Sequence, residues 1–149
     1  NVAGIVALGT ALQATDAERE SECARLSELR DRFVAELVDR VDGLIETIPA
    51  GRDDVRRVPG AAHVCVPGIE SEALLYLLDE GGVCASAASA CASGAMDPSH
   101  VLAAMGIDRD VALGALRLTL GHTTTDRDID RGVEVIVDAV TRLRTVSAR

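Results

Sequence analysis

Helical and strand-like patterns of apolar residues alternate along this chain, and their order is what most limits the possible fold. In the first third, five apolar residues recur at spacings of three and four, which is typical of one buried helix face: Leu26, Leu29, Phe33, Leu37 and Val41. We predict one helical region from residue 3 to about 42, with an interruption near Thr15-Asp16. Asp42-Gly43 is expected to end it.

Shorter patterns follow in the middle of the chain. Residues 62–66 alternate between apolar side chains and His63 or Cys65, which predicts a strand. A leucine-rich helix is predicted over 71–80, and a second short strand over 83–86. We expect His63 to be an ordinary strand residue.

Two more helices and one strand complete the pattern. Asp97 is predicted to cap a helix that has Pro98 at its first position and Gly106 just past its end. Residues 116–120 alternate leucine with Arg117 or threonine and predict a strand with two unlike faces. Thr125 is then expected to cap the last helix.

This order of elements predicts an α/β fold, a two-layer α+β sandwich in which helices cover a short mixed or antiparallel sheet. The 149 residues suffice for one domain with its own core. Phe33 and Tyr76 are its two aromatic residues, so that core must be built from Ala, Val, Leu and Ile.

Charge and composition exclude several classes of function. The net charge of −9 argues against binding to nucleic acid, which requires clustered basic residues. No apolar run approaches the roughly 18–20 residues of a membrane span, so no membrane partner is expected. The four cysteines form no CxxC pair and indicate no disulfide framework, which favours a reducing cytoplasm.

One cysteine stands out by its surroundings. Cys91 lies in a run of small residues that offer it little to pack against, so we predict a solvent-reachable thiol, with an incidental buried thiol as the alternative. Cys84, Cys91 and His100 match no compact zinc pattern, and no metal site is predicted. Lysine and arginine together number fifteen and all fifteen are arginine, so this chain has no lysine for a Schiff base with pyridoxal phosphate.

The segment around this cysteine resembles a known family. Ser89-Ala90-Cys91-Ala92-Ser93, followed by Pro98-Ser99-His100-Val101-Leu102, is similar to the active-site segment of the NifS/IscS-like cysteine desulfurases, within the pyridoxal-phosphate-dependent class V aminotransferases. The segments 67–75 and 116–125 resemble further parts of the same family in the same order. The resemblance covers essentially the whole chain.

The resemblance implies a fold and a division of the chain. It implies the C-terminal small domain of a pyridoxal-phosphate-dependent transferase fold, preceded by a long linking helix. Residues 1–42 would then be a helical segment that leads to an upstream cofactor domain absent from this chain. Residues 43–149 would form the small domain that carries the cysteine loop.

The resemblance also implies a chemistry. L-cysteine would give L-alanine, with its sulfur kept as a persulfide on Cys91 and passed to an acceptor such as an iron–sulfur scaffold or a thiolation protein. Arg117 would bind the substrate carboxylate, with Ser89 and His122 as possible neighbours. The enzyme would be a cytoplasmic homodimer whose cofactor, pyridoxal 5'-phosphate, is bound upstream, and this lysine-free stretch would be inactive alone.

Several alternatives stay open at this point. The chain could belong to another class V aminotransferase or a selenocysteine lyase, or it could be a stand-alone sulfur carrier or interaction module. Arg117 could form a structural salt bridge with one of many carboxylates. His122 is as compatible with an ordinary surface position as with one that faces the active site.

Overall fold

The structure, a computed structural model, describes residues 1–48, 57–87 and 99–147. Cys91 and Ser89, and the Asp97-Pro98 pair that was expected to start a helix, lie outside these ranges.

The first element is a single helix, α1 (Val2–Arg40), in which the Asn1 side chain accepts a hydrogen bond from the Gly4 N–H at 3.0 Å. The predicted long helix is confirmed, but the predicted interruption near residues 15 and 16 is wrong. Asp16 pairs with Arg19 one turn later, and neither residue of the pair at 15 and 16 removes a main-chain donor. Residues 1–21 are exposed, whereas the second half of α1 enters the core.

Three strands form one antiparallel sheet in the order β1 (Ile45–Glu46), β2 (Ala61–Cys65) and β3 (Ala115–Thr119). The predicted strands at 62–66 and 116–120 are confirmed with ends shifted by one residue. Strand β1 was not predicted, because two residues are too few to show an alternation.

Four further helices are α2 (Ser71–Glu80), α3 (His100–Ala104), α4 (Arg109–Ala112) and α5 (Asp126–Ser147). Helix α2 has its predicted bounds, and Thr125 caps α5 as predicted: its side chain accepts from the Asp128 N–H, and the Asp128 carboxylate accepts from Thr125.

The predicted cap of the third helix, Asp97, lies outside the described residues, and the helix is described from His100 onward. Ser99 caps α3, because its buried side chain accepts a hydrogen bond from the Val101 N–H at 3.2 Å. Gly106 does follow the helix end, with a positive φ of 78° that suits a residue without a side chain.

The short strand predicted over residues 83–86 is also wrong. Ser86 alone forms an isolated β-bridge, which it makes with Arg117. One bridge extends the sheet by a single residue on the far side of β3, so it does not make a strand.

The core lies on one face of the sheet, under α1, α2 and α5. It includes Phe33 and Leu37 from α1, Val64 from β2, Leu116 from β3 and Ile136 from α5. A smaller cluster lies on the other face, where Cys65 and Ala115 meet Leu102 and Ala112 of α3 and α4. Helices packed on a short antiparallel sheet confirm the predicted α/β class. The division of the chain at residue 42 stays a prediction.

Candidate functional site

The two faces of the sheet differ because successive strand residues point in opposite directions. Val64 and Leu116 face the main core and are fully buried. On the opposite face, His63 is half-buried and Arg117 is exposed. We call this second surface the open face, because the smaller cluster covers it only toward the Cys65 end.

Four polar residues form a row across the open face. Arg117 of β3 pairs with His63 of β2 on one side and with Ser86 on the other. The β1–β2 register, extended by one residue, places Thr47 opposite His63, and the Thr47 N–H donates to the His63 carbonyl at 3.1 Å. Directly paired residues of antiparallel strands share a face, so Thr47, His63, Arg117 and Ser86 lie side by side.

The backbone hydrogen bonds determine which neighbours come closest. The Arg117 N–H donates to the Ser86 carbonyl at 2.8 Å, and the Ser86 N–H donates back at 3.1 Å. Because both main-chain groups of Arg117 point toward Ser86, the pair with His63 is of the type without hydrogen bonds. Such pairs bring their Cα atoms to about 4.5 Å, the closer of the two spacings.

Arg117 is exposed on this surface. It makes no ion pair with any residue within 1–48, 57–87 or 99–147. Within those residues, the alternative of a structural salt bridge therefore has no support. An exposed arginine with a planar set of donors is suited to a carboxylate ligand.

His63 is held by Thr47 through its side chain as well. Its Nδ1 lies 3.1 Å from Thr47 Oγ1, and the Thr47 hydroxyl lies at the same distance from the His63 carbonyl oxygen. Burial lowers the pKa of His63, and the positive charge of Arg117 lowers it further. Both effects favour the neutral imidazole over the cation.

The row adjoins the stretch that carries the predicted nucleophile. Cys91 follows Ser86 by five residues, so chain length alone limits their separation to at most about 18 Å. At the other end, the Ser99 side chain is buried and caps α3. Both Cys91 and Ser89 are predicted site residues that lie between these anchors, outside the described ranges.

His122 lies away from this row. It belongs to the turn after β3, is exposed, and places Nδ1 3.6 Å from a carboxylate oxygen of Glu22 on α1. Arg25 of α1 holds the same turn by donating to the carbonyls of Gly121, His122 and Thr124 at 3.3, 3.2 and 2.7 Å. The structure therefore places His122 against α1, and its predicted role near the site stays a prediction.

The described cysteines differ in exposure. Cys65 is fully buried, and burial raises the pKa of its thiol to about 11. Cys84 is exposed and borders a cleft of about 200 Å³ beside Phe33 and Arg131. No cluster of three or more potential metal ligands occurs in the described part of the chain. No helix within residues 1–48, 57–87 and 99–147 has the length and apolar character needed to cross a membrane.

Comparison with known proteins identifies the family. The family model for class-V aminotransferases matches residues 1–131. An IscS-like cysteine desulfurase of Mycobacterium tuberculosis is 44% identical over 144 residues, and a cysteine desulfurase of Gluconacetobacter diazotrophicus is 37% identical over 147 residues. These alignments cover 97% and 99% of this chain. The chain belongs to the class-V aminotransferase family.

Solved structures agree with this assignment. A NifS-like protein superposes with a TM-score of 0.78 at 27% identity, over 96% of this chain and 34% of its own. A NifS-like protein from Rickettsia africae gives a TM-score of 0.75 at 23% identity, over 95% of this chain and 35% of its own, and supports the fold.

The chain spans 36% of the length of these two curated relatives. Members of the family generally use pyridoxal phosphate, which is attached through a lysine. The 149 residues contain no lysine, so they do not fit that covalent attachment by themselves.

Sequence reasoning missed the part of the site formed by His63 and Thr47. The alternation along β2 does place His63 on the face opposite Val64, which was a usable signal. Its partners depend on strand register and on β1, a two-residue strand that leaves no pattern of its own.

Proposed function

We propose that this chain is the C-terminal part of a cysteine desulfurase that takes sulfur from L-cysteine and leaves L-alanine. The curated relatives named above are cysteine desulfurases, and their alignments cover nearly the whole of this chain. The observation that carries the proposal is the pair of main-chain hydrogen bonds between Ser86 and Arg117. These bonds hold Ser86, five residues before Cys91 in the sequence, beside the arginine that is the candidate for binding the substrate carboxylate.

In this function, Arg117 binds the substrate carboxylate through its planar donors. The Cys91 thiolate attacks the substrate sulfur, a new S–S bond forms, and the bond between that sulfur and the substrate Cβ breaks. The Cβ gains a proton, so L-cysteine and one thiol give L-alanine and one persulfide without a further oxidant or reductant.

The remaining parts of the proposal concern the whole protein. Pyridoxal 5'-phosphate is bound by residues outside this chain, and the lysine to which it is attached also lies outside it. The 149 residues alone are therefore inactive. The enzyme is a cytoplasmic homodimer that passes its persulfide sulfur to an acceptor of the iron–sulfur or thiolation pathways. The family's generally cofactor-dependent chemistry supports the cofactor, and the relatives' names support the transfer of sulfur from cysteine.

The test is release of sulfide and alanine from L-cysteine by a full-length protein that contains this chain. We expect equal amounts of both products in the presence of a reductant that frees the persulfide sulfur. Cys91→Ser should abolish release while bound cofactor, measured by its visible absorbance, stays unchanged. Cys84→Ser is the matched control and should retain activity. A parent protein that binds cofactor and releases no sulfide would refute the proposal.

A further inference from the structure

The proposed reaction gives no role to His63, one of the four polar residues in the row across the open face. His63 stands beside Arg117 in the closer type of antiparallel pair, and both side chains are directed to the same face. Of the four residues in the row, these two carry nitrogen donors at the tips of long side chains. Their placement defines a pair rather than a lone arginine.

The contacts of Thr47 indicate which ring nitrogen of His63 is available. The Thr47 hydroxyl has one hydrogen and lies 3.1 Å from both the His63 carbonyl oxygen and Nδ1. Both contacts are satisfied when the hydroxyl donates to the carbonyl and Nδ1–H donates to the hydroxyl. This arrangement is the same in the neutral and the protonated imidazole, so Thr47 holds the ring in either state and leaves the Nε2 lone pair to take up a proton.

Among the described residues, the charge that acts on His63 is the cation of Arg117, and no carboxylate offsets it. Arg117 is the charged neighbour on β3, and Cys65, on the same strand and face, carries a neutral buried thiol. Glu46 of β1 is adjacent to Thr47 but lies on the alternate face, where Arg57 binds its carboxylate at 2.7 Å. Of the charges in the described part of the chain, that of Arg117 is the one that lowers the pKa of His63, in addition to burial.

We propose that His63 is the second arm of a carboxylate-binding site centred on Arg117: as a carboxylate binds, Nε2 takes up one proton from water and donates it to the ligand in a hydrogen bond. A bound carboxylate offsets the arginine charge that disfavours a second cation nearby. Ligand binding and proton uptake then favour each other by the same factor. This rests on the proposed function only in taking Arg117 as the carboxylate anchor.

The chain is well suited to a direct test, because it contains three histidines, and His100 and His122 are both exposed. The pKa of each imidazole is followed by NMR at constant ionic strength in the 149-residue chain, alone and with L-alanine. L-alaninamide is the control ligand, since it keeps the amine and methyl group and lacks the carboxylate.

We expect L-alanine to raise the pKa of His63 by about one unit and to leave the other two histidines unchanged. By linkage, L-alanine should bind about tenfold more tightly below the pKa of His63 than above it. Arg117→Leu should raise the pKa of the free His63 and abolish its response. His63→Gln should remove the pH dependence of L-alanine binding, whereas His100→Gln should preserve it.

Equal shifts at all three histidines, the same response to L-alaninamide, or a response that survives Arg117→Leu would overturn the pair. These outcomes are separate from the proposed reaction. Sulfide release with an unresponsive His63 would remove the second arm and leave the desulfurase proposal standing. A responsive His63 without sulfide release in the full-length protein would do the reverse.

Discussion

The main chains of Ser86 and Arg117 exchange two hydrogen bonds, of 2.8 and 3.1 Å. This β-bridge joins the segment that precedes Cys91 in the sequence to strand β3. Ser86, which precedes Cys91 by five residues in the sequence, is therefore held beside Arg117. A thiol that must reach a substrate held by the Arg117 guanidinium benefits from a short tether.

Breaking this bridge should impair sulfur transfer more than it impairs folding. Ser86→Pro removes the N–H that donates to Arg117, whereas Ser86→Ala keeps both main-chain bonds. We expect sulfide release from the full-length protein to fall at least several-fold in the proline variant and to stay near normal in the alanine variant. Faster hydrogen exchange at the Arg117 amide in the proline variant alone would confirm the cause. Equal activity in the two variants would argue against the tether.

The cysteines should differ in reactivity because they differ in burial. With a pKa of about 11, Cys65 has roughly 0.1% thiolate at pH 8, and its sulfur is also out of reach of solvent. Cys84 is exposed. We expect iodoacetamide to modify Cys84 much faster than Cys65 in the native chain, as measured by peptide mass spectrometry. The difference should vanish in denaturant, and similar rates in the native chain would contradict the placement of Cys65.

Arg25 should stabilise the turn that follows β3. It donates to three main-chain carbonyls and pairs with Glu22, whereas Arg19, in the exposed half of the same helix, pairs with Asp16 one turn away. We expect Arg25→Ala to lower the melting temperature clearly, because those carbonyls lose a charged donor. Arg19→Ala is the matched control and should leave the melting temperature within error. Equal effects in calorimetry would show that the turn does not depend on Arg25.

Gly114 should not tolerate a side chain. A Cβ at this position would overlap the carbonyl oxygens of Val66 and Ile69, where β3 begins against the end of β2. Gly114→Ala should therefore lower the free energy of unfolding by about 1–3 kcal/mol, measured by urea denaturation. Gly9→Ala, at a helical position with open space around it, should not destabilise the chain. A stable Gly114→Ala variant would contradict the packing.

His63 should make stability depend on pH. Its pKa is lower in the folded chain than the ordinary value near 6.5, so the unfolded chain takes up the proton first as pH falls. The contribution of His63 to the free energy of unfolding is therefore fully present above about pH 6.5. It falls as the pH decreases toward the pKa of His63 in the folded chain, and it changes no further below that pKa. His63→Asn should remove this slope in urea titrations, and His100→Asn should not. An unchanged slope in His63→Asn would show that another group causes the pH dependence of stability.

The periodicity of apolar residues was sufficient to predict each helix or strand that buries its own stripe of apolar side chains. Helix α2 has its predicted bounds, and β3 shows the predicted division between buried leucines and exposed Arg117 and Thr119. Failures occurred where the structure depends on distant partners. The β-bridge at Ser86 forms because the main chain of Arg117 lies beside it. No local sequence pattern distinguishes such a bridge from a short strand.

The candidate site shows the same division. The exposed position of Arg117 follows from alternation, but its neighbours follow from register, which the isolated sequence does not contain. The cap of α3 shows a further limit: Ser99 is a good capping residue, but its burial and its position beside the Val101 N–H follow from the fold.

The most direct test of the account is the fate of the sulfur itself. A full-length protein that contains this chain is exposed to L-cysteine, then alkylated and digested, and its cysteine peptides are examined by mass spectrometry. We expect one extra sulfur atom on the Cys91 peptide, none on the Cys84 peptide, and a much smaller amount at the same L-cysteine concentration in Arg117→Leu. Extra sulfur on Cys84 in place of Cys91, or an unchanged yield in Arg117→Leu, would contradict the account.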